Sequence, residues 1–219
     1  MRFDDRRKLM VKEQIIERGI SDNRVINALL KVPRESFIPI EWQKLAYSDH
    51  PLEIGYQQTI SQPYIVAYML SLLDLNPSDR VLEIGTGCGY VTALLAEMVA
   101  EVFTIERIED LLYTTKQRLK KMGYHNIHYH TGDGSVGWVN CLPHITEFEK
   151  IIISAACPDT PKTLLSQLSM GGRMVTPQGS LHFQELYLYQ KSSAGVMINK
   201  YGGCIFVPLI GNEGFNTNS

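Results

Sequence analysis

Cysteine is scarce: the chain of 219 residues has 4. Cys88, Cys141, Cys157 and Cys204 are scattered, with no C-x-x-C pair. That excludes a disulfide framework and a cysteine-built metal site, and it fits reduced, partly buried thiols in a cytoplasmic protein. A surplus of charge is missing as well. Lys plus Arg number 21 against 23 Asp plus Glu, for a net charge of -2, so nothing in the overall balance draws the chain to nucleic acid or to an anionic membrane. Long hydrophobic runs are absent. The longest apolar stretch, Ile65 to Leu75, is broken by Tyr68, Ser71 and Asp74 and is too short to span a bilayer. Met1 to Lys8 is mostly charged and leads into no signal-peptide core. Repeats, heptads and an obvious apolar patch are lacking too, so a monomer is the expectation. What remains, 44% hydrophobic and 20% charged, suits one folded domain with a sizeable core.

The N-terminal part reads as helical. Leu9, Met10, Ile15 and Ile16 recur at helical spacing up to Gly19, a left-handed terminator. Ser21 is the expected N-cap of a second helix carrying Val25, Leu29 and Val32, which ends before Pro33. From Pro33 to Gln62 periodicity is lost, and irregular stretches of that length are often functional.

Beyond Pro63 strands and helices alternate. Apolar runs lie at Val81–Ile84, Val102–Ile105, Ile127–Tyr129, Ile151–Ser154, Arg173–Thr176, Leu186–Tyr189 and Ile205–Leu209, with helices over Thr92–Val99 and Ile108–Met122. Near-continuous apolar strands alternating with helices predict a doubly wound, mostly parallel α/β sheet covered on both faces. Lys191–Gly203 is polar and glycine-bearing, which predicts a hairpin connector between the last two of seven strands. The expected division is a single domain: residues 1–62 as N-terminal helices and substrate loop, 63–215 as the α/β core, and 216–219 as a frayed tail.

Val81-Leu-Glu-Ile-Gly85-Thr-Gly87-Cys-Gly89-Tyr90 joins a buried strand to a helix through glycines at alternate positions. Glycine there allows a tight turn and close approach of a ligand to the backbone, and helix-start amides add donors. The dinucleotide fingerprint needs glycine or alanine where Tyr90 stands. Glu83 places an acid inside the strand, which repels a pyrophosphate but favours the ammonium and sulfonium of S-adenosylmethionine. Glu106 closes the next strand, where an acid accepts from ribose hydroxyls, and Gly132-Asp133-Gly134 ends the third, where Asp133 can accept from an adenine amino group. Each acid alone is weak, since strand-terminal carboxylates are commonly just solvated. Three at successive strand ends converge on one crevice. Before Pro63, Ser61 is either an N-cap or part of a cradle for a substrate carboxylate, and the two readings are compatible.

Gly55–Tyr64, Val81–Tyr90, Glu106-Arg107, Gly132–Gly134, Ala155-Ala-Cys-Pro158, Gly171–Pro177 and Phe206-Val-Pro-Leu209 together resemble the protein-L-isoaspartate O-methyltransferase family, in order along nearly the whole chain. Gln57, where bacterial members more often carry glycine, and Cys157, in place of a commoner alanine, are departures. The resemblance implies a Rossmann-like, class I S-adenosylmethionine-dependent methyltransferase fold. It implies S-adenosyl-L-methionine as methyl donor, S-adenosyl-L-homocysteine as product, and L-isoaspartyl residues of damaged proteins and peptides as acceptors. It carries over Ser61 as the active-site residue; Gln58, Thr59, Ile60, Glu83, Gly85, Thr86, Gly87, Glu106, Arg107, Asp133 and Gly134 as donor contacts; and Ser61, Tyr64 and Val207 as acceptor contacts.

Two other readings stay open on the residues alone: a methyltransferase of the same fold with a different nucleophile, and a nucleoside-binding module without catalysis. Ser154-Ala-Ala-Cys-Pro158 offers no amide acceptor for an amine, which weighs against amino-group methylation. His125, His128 and His130 could ligate a metal, but with no cysteine or acid ligand alongside they read as strand histidines.

Overall fold

A computed structural model describes residues 1–216; of the tail assigned to 216–219, residues 217–219 lie outside the described residues. Helix α1 (Phe3–Met10) runs on as a π-helical turn (Val11–Ile16) and stops at Gly19, whose φ is +93°. Helix α2 (Asn23–Lys31) is capped by Asp22, whose side chain accepts the Arg24 N–H at 2.9 Å. Asp22, not the expected Ser21, is the cap, because its carboxylate stands directly before the first helical residue. Val32 leaves the helix with an extended backbone (ψ 118°) ahead of Pro33.

The irregular stretch that follows holds two 3-10 turns, Arg34–Phe37 and Ile40–Leu45, and a small hairpin that periodicity did not reveal. Its strands are β1 (Leu52–Gly55) and β2 (Gln58–Ile60). Tyr56 and Gln57 make the turn at φ 53° and 57°. The hairpin leads into α3 (Pro63–Leu73), which has Pro63 in its first turn and ends at left-handed Asp74.

The rest alternates as expected: β3 (Arg80–Ile84), α4 (Tyr90–Ala96), β4 (Glu101–Glu106), α5 (Glu109–Lys121), β5 (Ile127–Thr131), β6 (Phe148–Ile153), α6 (Lys162–Ser166), β7 (Leu168–Gly179), β8 (Gln184–Ser192) and β9 (Gly195–Cys204). The seven-stranded sheet has the order β5-β4-β3-β6-β7-β8-β9. The first five in that order run parallel, and β8 and β9 run antiparallel. This is the Rossmann-like fold of class I methyltransferases.

The last hairpin corrects the sequence reading. Ser192 pairs with Gly195, so the turn is short and the segment expected to be a connector is itself β9. Ile205–Leu209 is not a sheet strand; it crosses the strand ends, bridging only through Pro208 to Ala156. β9 lies at the sheet edge and is largely exposed, so its one apolar run, Val196–Ile198, is short and set among polar residues and glycines.

Two apolar layers cover the sheet. Val81 and Val102 join the layer built with α1 to α4, and Leu82, Ile84, Phe103 and Ile105 join the layer with Trp138 and Leu164. The chain winds one way from β3 through β4 to β5, and the other way from β6 to β7. The reversal between β3 and β6 opens a crevice at their carboxyl ends, where such sheets bind ligands.

Candidate active site

That crevice is a cleft with about 770 Å³ of open space, its solvent mouth included. Gln58, Thr59, Ile60 and Ser61 line one wall, and Gly85, Thr86, Gly87, Glu106, Arg107 and Gly134 another. Ser154, Ala155 and Val207–Ile210 close it. Eleven of the fourteen expected residues therefore meet in one place, counted as these ten plus Val207.

The glycine loop is held rigidly. Gly85 and Thr86 donate to the Ile105 carbonyl at 2.9 and 3.4 Å, and Gly87 donates to Glu106 at 2.9 Å. On its acceptor side, Thr115 donates to the Gly87 carbonyl at 2.7 Å and Arg118 to that of Cys88 at 2.8 Å. Gly89 has φ +86°, and a Cβ there would stand 2.6 Å from Thr115 Cγ2, so only glycine lets α5 approach. The Gly85, Thr86 and Gly87 amides are thus already bonded to protein acceptors. The other lone pairs of Glu106, which also accepts from Ile108 at 3.1 Å, stay available to hydroxyl donors.

Glu83 lies beneath the loop rather than in the cleft wall. Thr92 and Thr104 donate to one carboxyl oxygen at 2.6 and 2.7 Å, and Thr104 lies 2.6 Å from the Thr86 hydroxyl. The other oxygen, Oε1, is buried without a hydrogen-bond partner among the described residues. Burial pushes the Glu83 pKa up to about 8 against the pull of the two threonine bonds. A buried acid under the loop fits a cationic ligand, whose charge would favour the ionised form.

Two expected contacts do not line the cleft. Asp133 accepts from the Ser135 N–H and hydroxyl at 2.9 and 2.6 Å and from the Asn212 N–H at 2.7 Å, so the chain after Val207 ties it down. Tyr64 lies under the Arg18 guanidinium, 3.4 Å from the ring centroid, and stacks on Tyr68 at 5.8 Å. It faces a separate hollow with Asp22 and Arg24. Its neighbour Ile65 points instead to the acceptor side, into a second hollow that shares Thr59, Ser61, Ser154 and Val207 with the cleft and adds Pro51, Ile205 and Phe206.

Ser61 does not cap α3. The cap position is Gln62, without a side-chain bond, so the hydroxyl is left to the cleft while the Ser61 carbonyl accepts from Arg34 at 2.7 Å. Ser154, which touches both hollows, was not singled out as a site residue, although its place just past the apolar run of β6 was a usable signal. The strand histidines are packed: His128 contacts Glu101 at 2.8 Å and stacks on Phe103, and His130 meets Trp138 edge-on. Among the described residues no cluster of metal-ligating side chains occurs, and no helix is long and apolar enough to cross a membrane.

Comparison with known proteins places the chain in a family. The model of the family described as Protein-L-isoaspartate(D-aspartate) O-methyltransferase (PCMT) matches residues 5–214. A protein-L-isoaspartate O-methyltransferase of Petrotoga mobilis is 51% identical over 216 residues, covering 98% of this chain and 100% of its own. One from a Picosynechococcus species is 48% identical, covering 94% and 91%. Among solved structures, a Plasmodium falciparum protein described as a beta-aspartate methyltransferase, in complex with S-adenosyl-L-homocysteine, superposes with TM-score 0.80 at 25% identity, over 93% of this chain and 97% of its own.

Proposed function

The chain belongs to the protein-L-isoaspartate(D-aspartate) O-methyltransferase family, and we propose that the cleft between β2 and the glycine loop carries the reaction, with Ser61 on the acceptor side and Glu106 on the donor side. The enzyme methylates the free α-carboxylate of L-isoaspartyl residues in damaged proteins and peptides, initiating their repair, with S-adenosyl-L-methionine as donor. The observation that carries the site assignment is the meeting of Thr59–Ser61 with Gly85–Gly87 and Glu106 in one cleft.

When bound, S-adenosylmethionine supplies an electrophilic methyl group on a sulfonium. Glu106 holds ribose hydroxyls through its remaining lone pairs, and the glycine loop, fixed by Thr115 and Arg118, leaves room for the ligand against the backbone. The acceptor needs no general base: an α-carboxyl has a reference pKa of about 3.5 and is ionised at neutral pH. Rate enhancement therefore comes from alignment and exclusion of water. The Ser61 hydroxyl donates to the carboxylate and orients it without itself attacking. The Val207 carbonyl is taken by the Ala156 N–H at 2.8 Å, which fixes that segment and leaves its own N–H for an extended acceptor chain. The apolar second hollow receives the residues that flank the isoaspartyl group. The four cysteines are free thiols, the state a reducing cytoplasm maintains, and that is where we place the reaction.

The test is incubation with methyl-labelled S-adenosylmethionine and a matched pair of peptides, one isoaspartyl and one aspartyl. Label on the isoaspartyl peptide alone is the expected result. Label on neither, or on both equally, contradicts it.

A further inference from the structure

Arg34 is fully buried, at 0% exposure, yet among the described residues no carboxylate forms an ion pair with it. Lys150, also buried, at least faces Asp79 at 4.0 Å. Arg34 instead donates to two backbone carbonyls, Nε to Ala46 at 2.8 Å and Nη2 to Ser61 at 2.7 Å. Its third nitrogen, Nη1, is buried with no well-formed hydrogen bond among the described residues. The guanidinium lies 4.9 Å from the centroid of the Tyr90 ring and interacts with the buried Tyr90 hydroxyl, which among the described residues makes no other hydrogen bond. Tyr90 in turn lines the cleft.

A guanidinium keeps its proton in a protein, although burial here pulls its pKa below the ordinary value. Burying a cation without a counter-charge is costly, and carbonyl dipoles offset only part of that cost. Such a charge persists where the fold uses it. Its place is specific: the carbonyl it grips belongs to Ser61, the residue whose hydroxyl faces the cleft. In a buried setting its field is weakly screened and reaches an anion on the far side of Ser61.

We infer that Arg34 is a positioning residue for the acceptor: it fixes the Ser61 backbone through the carbonyl and places an unneutralised positive charge behind the seat of the isoaspartyl carboxylate. The inference rests on the acceptor reading of Ser61 given above. It assigns Arg34 to the acceptor half of the site, since its hydrogen bonds to backbone go to Ala46 and Ser61 and none goes to Gly85, Thr86, Gly87 or Glu106; towards α4 it touches only the Tyr90 side chain. A residue that merely supported the fold would disturb donor and acceptor binding together.

The experiment compares wild type, Arg34→Gln and Arg34→Lys, reading peptide KM, kcat and the Kd for S-adenosylhomocysteine by calorimetry, with folding checked by circular dichroism. For Arg34→Gln the expected result is a peptide KM raised about tenfold or more with product affinity within about twofold of wild type. Arg34→Lys, which restores the charge but cannot span both carbonyls, should recover most of that loss, leaving KM raised about threefold. An unchanged KM in Arg34→Gln, a parallel loss of product affinity, or a lysine variant no better than glutamine overturns the inference. Should Arg34→Gln fail to fold, Arg34→Lys decides alone: a raised KM with unchanged product affinity supports it, and no change or a parallel change overturns it. If wild type itself leaves the isoaspartyl peptide unmethylated, the acceptor reading fails rather than the role of Arg34.

Discussion

At Glu83 one carboxyl oxygen is shared by two threonine hydroxyls while the other has no hydrogen-bond partner among the described residues, and burial raises the pKa to about 8. Without ligand the group therefore carries its proton at pH 7. A cation bound above the loop favours the ionised form, so donor binding near pH 7 is expected to release a proton. Calorimetric titration in buffers of different ionisation enthalpy reads this directly, and heats independent of buffer would contradict it. The same shift sets a stability trend. Because the folded pKa lies above the unfolded one, the contribution is fully present below the unfolded value and is lost as pH rises through about 8. Glu83→Gln, which mimics the protonated acid, should lose less Tm than wild type between pH 5 and pH 9; parallel Tm curves would refute the assignment. Ser61 makes a separate prediction. Ser61→Ala is expected to lower kcat/KM on an isoaspartyl peptide by about tenfold or more while the affinity for S-adenosylhomocysteine stays put. Retained wild-type kcat/KM would remove Ser61 from the mechanism.

Two elements shape the cleft, and each has a pressure point. In the β1–β2 hairpin, the turn residues Tyr56 and Gln57 both have positive φ although neither is glycine, a conformation that costs an L-residue about 1 kcal/mol or more. Gln57→Gly is expected to stabilise the protein by about 0.5–1 kcal/mol net of unfolded-state entropy, seen as a raised denaturation midpoint. A lowered midpoint would mean that the Gln57 side chain contributes more than its backbone costs. The segment after Val207 is the second element. Asn212 donates to Asp133, Glu213 to the Ser135 hydroxyl, and a Cβ on Gly211 would overlap the Asp133 carboxylate. Gly211→Ala should push this segment off the cleft and weaken S-adenosylhomocysteine binding about tenfold, measured by calorimetry; unchanged affinity would show that the contact is dispensable. The same two elements were poorly legible in the sequence. The hairpin is short and lacks the glycine turn that marks such structures, and Ile205–Leu209 is apolar because it covers strand ends rather than because it pairs in the sheet. β3 and β4 were legible because both faces are buried, whereas β9, exposed at the edge, sets a three-residue apolar run, Val196–Ile198, among polar residues and glycines.

Over the whole molecule, the reversal of winding between β3 and β6 brings Glu106, the glycine loop and Ser61 together from separate stretches of sequence. Glu106 and the glycine spacing were readable from local pattern, whereas most of the other lining residues, Ser61 in its active-site role among them, came from the family resemblance. Asp133 and Tyr64 were assigned to it as well; Asp133 is held beside the lining residue Gly134 by Asn212, and Tyr64 lies under Arg18, partners distant in sequence that no local pattern announces. Arg34 was missed as a site residue for the converse reason: a charged residue beside a proline looks exposed until the fold buries it. The account depends on a donor lying along the carboxyl edge of the sheet with its reacting end toward Ser61. A crystal structure of this chain grown with S-adenosylhomocysteine tests it most directly. The predicted result is product in the cleft, ribose on Glu106 and sulfur facing Ser61; product bound at another surface, or a cleft left empty at saturating ligand, would contradict it.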